Sequence, residues 1–169
     1  MTKEGAGDLS SRALELISSA FAGREPPSVM TDSMQLSDLE YEEVMSFEGL
    51  DWHDVTFQHV EEQSDAVFWF APDAFCYFLP GILAAALEEN RWDANAYDAL
   101  IGMLDRSPEP AYWDDFFAPR WTLLNAGEIE AVAAWVRWLE AVQPDAFHPN
   151  TYERAQGTLR LLKQATQED

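Results

Sequence analysis

The sequence has few cations, a single cysteine and almost no strand pattern, and each scarcity excludes something. Ten Lys and Arg stand against thirty-one Asp and Glu, a formal net charge of −21. Phosphate contacts and anchorage on anionic lipid both need Lys and Arg, so direct binding of nucleic acid or of a membrane surface is disfavoured. The one cysteine, Cys76, rules out an internal disulfide framework and fits a reducing, cytoplasmic setting. The opening residues 1–8 lack the basic start and apolar stretch of a signal peptide. Residues 66–87 carry one charge, Asp73, over a length close to the ~20 residues a bilayer requires. Pro72, Pro80 and Gly81 interrupt that stretch, acids flank it, and no Lys or Arg stands near enough to anchor it. It reads as a buried core helix.

Chemistry-bearing motifs are equally scarce. There is no Gly-rich phosphate cradle and no nucleophile elbow around Ser10, Ser11, Ser18 or Ser19. Cys76 has no histidine in its segment and reads as an inert buried thiol, and His148 reads as a surface loop residue. His53 and His59 are six apart, a poor helical spacing for metal ligands; His59 and Glu62 have the right one, but two ligands make a weak site. Carboxylate pairs abound, as they must in so acidic a chain, and nothing marks a cleft that would separate two pKa values. The expectation is a binding protein rather than an enzyme, without metal or cofactor.

What is present is core material: 47% apolar and 13% aromatic residues in 169, enough for one domain without a staple. The expected architecture is all-α: an irregular array of six or more mostly short helices over residues 9–166, at most one minor strand, and a disordered or frayed segment 1–8. Leu9, Ala13, Leu16, Ile17, Ala20 and Phe21 repeat at helical spacing, and Gly23 and Pro26-Pro27 end that helix. Residues 24–35 read as a loop. Ser37 and Glu40 form a capping box, with Leu36 and Tyr41 suited to a hydrophobic staple. Asp51 is expected to cap a helix over 52–62. Residues 67–70 read as a short strand or extended turn. Pro72 suits a first helical turn, and Pro80 is expected to kink or divide the helix it sits in. Asp93, Pro110, Asn125 with Glu128, and Asn150 or Thr151 mark later helix starts. The core should draw on Phe75, Phe78, Leu79, Ile82, Leu83, Leu100, Ile129, Val132 and Val136, with at least one of Trp135 and Trp138 at its edge.

The stretch Phe47-x-Gly49-x-x-Trp52, then Phe70-Ala71-Pro72-Asp73-Ala74-Phe75-x-Tyr77-Phe78-Leu79-Pro80, then Leu83 and Leu87, resembles a family of small bacterial proteins of unknown function. The opening Ile17-x-x-Ala20-Phe21-x-Gly23-x-x-x-Pro27 is similar to theirs. The resemblance covers residues 14–90 and implies a helical fold, with no activity to carry over. By type, a small, acidic, cysteine-poor chain without a site also resembles the immunity proteins that neutralise secreted toxins.

The charge is concentrated. Residues 25–90 hold fifteen acids and no Lys or Arg. Like charges one helical turn apart cost ~0.2–0.5 kcal/mol per pair, and no local cation offsets them. The sequence therefore nominates Glu40, Glu42, Glu43, Asp51, Asp54, Glu61, Glu62 and Asp65 as a patch that docks a basic protein, plausibly a nuclease toxin with a basic substrate groove, with Trp52 as an aromatic anchor if it is not core. The alternative is an adaptor or scaffold whose acidity serves only solubility.

Overall fold

The computed structural model describes residues 3–168. Among them are nine α-helices, two short 3-10 turns and no strand, so the fold is all-α. The chain divides into two compact units, Gly23–Leu100 and the pair of segments Met1–Ala22 and Ile101–Asp169.

The Gly23–Leu100 unit is built around helix α5, Pro72–Glu89. Pro72 occupies its first turn, where a missing N–H costs nothing. Asn90 ends it in the left-handed conformation (φ 49°), with the Arg91 N–H bonded back to the Ala86 carbonyl at 3.0 Å. Of the two outcomes expected at Pro80, division does not occur: the helix runs unbroken through it. An internal proline costs ~3 kcal/mol, whereas burying a large apolar side chain returns ~1.5–3 kcal/mol. Phe75, Phe78, Leu79, Ile82, Leu83 and Leu87 are all buried along α5, so packing outweighs the lost bond. Helix α2 (Asp38–Met45) has its predicted capping box: Ser37 Oγ accepts the Glu40 N–H and Glu40 accepts the Ser37 N–H at 2.7 Å. Tyr41, read as part of a staple, is half exposed.

Two other expectations fail in this unit. The helix expected over 52–62 is a 3-10 turn, Trp52–Asp54, followed by extended Val55 and Thr56 and then α3, Phe57–Glu62. Thr56 caps α3 by accepting the His59 N–H at 3.2 Å. The break seats Trp52 and Val55 against α5 at Gly81, where an added Cβ would lie 2.2 Å from the Trp52 carbonyl oxygen. Residues 67–70 are not a strand: α4, Ala66–Trp69, is a single helical turn. Phe47, Phe70 and Phe78 pack together at centroid separations of 5.1–5.4 Å. The loop 24–35 is held by Met30, which is buried and accepts the Ala71 N–H at 2.9 Å. Residues 95–100 of α6, Asn95–Leu104, close the unit, with the Tyr97 hydroxyl donating to the Ile82 carbonyl at 2.9 Å.

In the other unit, α1 (Lys3–Ala20) packs on α8 (Ala126–Val142), and α8 packs on α9 (Thr151–Glu168). Helix α1 starts at Lys3, so the frayed segment expected over 1–8 is helical from residue 3; Met1 and Thr2 lie outside the described residues. Asn125 and Glu128 form the second capping box, opening α8 as predicted. Trp135 and Trp138 are both fully buried, which corrects the expectation of an edge tryptophan. Helix α8 is covered by α1 and α9, so side chains on most of its circumference are enclosed. The short helix α7, Phe117–Trp121, completes the set. No helix among the described residues is long and apolar enough to cross a membrane.

Candidate partner-binding face

The nominated carboxylates all lie in Gly23–Leu100, but the structure sorts them into different situations. Asp51 is a cap: it accepts the His53 N–H at 2.9 Å and pairs with His53 Nδ1. Those hydrogen bonds, the backbone one first, hold its carboxyl below the usual range. Glu61 is offset by Arg91, which reaches it at 3.2 Å and Asp93 at 3.0 Å while lying 4.1 Å over the Phe57 ring. Glu62 accepts from Gln58 Nε2 at 2.9 Å. Asp54 and Glu42 are exposed. Trp52 is buried and stacked on His53 at 3.6 Å, so it fills the interior and offers no anchor at the surface.

Three carboxylates are brought together. Helices α2 and α4 pack on one another, which sets Glu43 of α2 close to Asp65 at the start of α4 and to Glu40 one turn back. Partial burial, then the charges of Asp65 and Glu40, push the Glu43 carboxyl above its ordinary pKa. Its Oε2 is buried without a hydrogen-bond partner. Below it, Ser46 Oγ donates to the Glu43 carbonyl at 2.6 Å and meets His59 Nε2 at 2.8 Å. The His59 ring lies 4.2 Å from that of Phe47, and burial pushes its pKa down. His59 is thereby a packed, hydrogen-bonded ring, and no group of three or more His, Cys, Asp or Glu among the described residues is placed to hold a metal. Cys76 is buried in α5.

Large apolar side chains outside the nominated set are also exposed on these two helices. Leu39 and Tyr41 of α2 are 66% and 50% exposed, and Phe68 of α4 is 39% exposed. Phe68 lies one turn beyond Asp65, with its N–H bonded to the Asp65 carbonyl at 3.0 Å, so the two share a side of α4. The available sequence signal was that Leu39 stands off the stripe that carries buried Val44. Comparison of the chain with family models, with curated proteins and with solved structures finds no match.

Proposed function

We propose that the chain is a non-enzymatic inhibitor that binds a basic toxin domain, plausibly a nuclease, and covers its active cleft or substrate groove. The observation that carries this reading is the meeting of α2 and α4, where Glu40, Glu43 and Asp65 crowd together and Leu39 and Phe68 are exposed on the same two helices. Crowded carboxylates cost stability in the free protein. A Lys- or Arg-rich groove reverses that cost on binding, while the apolar side chains supply buried area. A surface that recognises phosphate is itself basic, which makes a nucleic-acid-cutting toxin a fitting partner. The resemblance by type to immunity proteins supports the same reading.

The test is co-expression with the C-terminal domain of a secreted toxin encoded beside this gene. Growth should be restored and the two proteins should co-purify. The triple reversal Glu40→Lys, Glu43→Lys, Asp65→Lys should stay folded by circular dichroism and lose both effects. Unchanged growth arrest without co-purification would refute the proposal. An adaptor whose acidity serves only solubility predicts indifference to the reversal; the structural uses of Asp51 and Glu61 are the observations on its side.

A further inference from the structure

The cations of this chain also cluster. In the unit containing α8 and α9, a cleft of about 490 Å³ is lined by Arg106, Arg154 and Arg160 together with Pro108, Leu161 and Thr158. Three of the chain's ten basic side chains therefore meet in one concavity. One wall is a face of α9, on which Arg154, Gly157, Thr158 and Leu161 recur at helical spacing. The other is the loop after α6, carrying Arg106 and Pro108.

Two of the guanidiniums are held in place from behind. Arg106 donates to Asp114 at 2.6 Å and to the Met103 carbonyl at 2.8 Å, with its head 5.1 Å from the Phe117 ring centre. Arg154 pairs with Asp105. Arg160 is exposed and folds back over Gly157: a Cβ added there would lie 3.7 Å from Arg160 Nη2. Asp105 and Asp114 offset two of the three charges and leave one positive charge in the cleft. The volume lies within the ~300–1,000 Å³ of small-molecule sites, and Pro108 and Leu161 give the cleft apolar surface.

We propose that this cleft binds a small organic anion, its phosphate or carboxylate on Arg160 and its apolar body against Pro108 and Leu161. Fixed Arg106 and Arg154 orient the oxyanion, since a planar guanidinium already held by a carboxylate loses little freedom on binding. The site is independent of the α2–α4 face.

The test is titration of the ¹⁵N-labelled full chain with phenyl phosphate and, separately, benzoate, at fixed ionic strength. Saturable amide shifts should be confined to the cleft residues. Saturation by phenyl phosphate alone assigns a phosphate ester, and by benzoate alone a carboxylate. Arg160→Gln should weaken binding about tenfold, Gly157→Leu should abolish it by filling the cleft, and Arg137→Gln, outside the cleft, should leave it unchanged. No saturable shift with either probe up to roughly 10 mM, shifts scattered over the surface, or equal affinity in Arg160→Gln would overturn the proposal.

Discussion

The two units have similar interiors and different surfaces. Each is held by buried aromatic and aliphatic side chains. Yet Gly23–Leu100 carries seventeen acids and two bases, a formal charge of −15, and the rest of the chain fourteen acids and eight bases, a charge of −6. In the second unit four cations are matched to acids: Arg106 with Asp114, Arg154 with Asp105, and Arg137 and Lys163 with Glu130. In the first, Arg91 gathers Glu61 and Asp93, and the α2–α4 carboxylates repel one another. Exposed ion pairs contribute only ~0–1 kcal/mol each, far less than the buried rings, so the difference does not decide which unit folds. It decides the field each presents to other molecules.

The largest expected effect checks that burial holds both units alike. Trp138→Ala should cost ~3–5 kcal/mol, and Phe68→Ala on the acidic face less than about 1 kcal/mol, read from urea midpoints. Near-equal losses would break the distinction between core and exposed face. Next, one glycine-to-alanine change should have opposite signs in the two units. Gly81→Ala drives a Cβ to 2.2 Å from the Trp52 carbonyl oxygen and should cost about 3 kcal/mol. Gly102→Ala and Gly157→Ala meet nothing closer than 3.7 Å within helices and should each stabilise by ~0.5–1 kcal/mol.

A smaller effect is in the pH dependence. The Glu43 pKa is raised in the folded state, so the folded chain holds that proton more tightly than the unfolded one. Its contribution is fully present below the unfolded carboxyl pKa and is lost as pH rises through the folded value. Asp114 and Glu130 are lowered, Asp114 first by the Phe117 N–H and Glu130 first by Lys163; their contribution is present above the unfolded pKa and is lost as pH falls. Glu43→Gln should therefore gain stability over wild type as pH rises from about 4 to 7, and Glu130→Gln should lose it. The smallest effect is salt: between about 0.05 and 0.5 M, screening should slow amide exchange in α2 and α4 and leave α8 and α9 unchanged or slightly faster.

Local rules made much of the fold legible. The boxes at Ser37 and Asn125, the first-turn Pro72 and the apolar stripes all act over three or four residues, so they survive folding as read. What was not legible depends on neighbours distant in sequence. The 52–62 helix breaks because Trp52 and Val55 must reach Gly81, and Trp138 is buried because both α1 and α9 cover α8. The crowding within the candidate face was half legible. Charge placement indicated the acidic region, but which carboxylates crowd depends on α2 meeting α4. Trp52 was nominated as an anchor because its sequence neighbours are polar, and its burial bears out the other reading, that it is core.

The central claim is that the α2–α4 face meets its partner through charge, and its most direct measurement is the association rate with the toxin domain against ionic strength. For wild type the rate should fall by about tenfold or more from roughly 0.05 to 0.5 M salt, and Glu40→Lys, Glu43→Lys, Asp65→Lys should associate slowly at every salt concentration. A wild-type rate indifferent to salt, or equal rates for the two proteins, would contradict it.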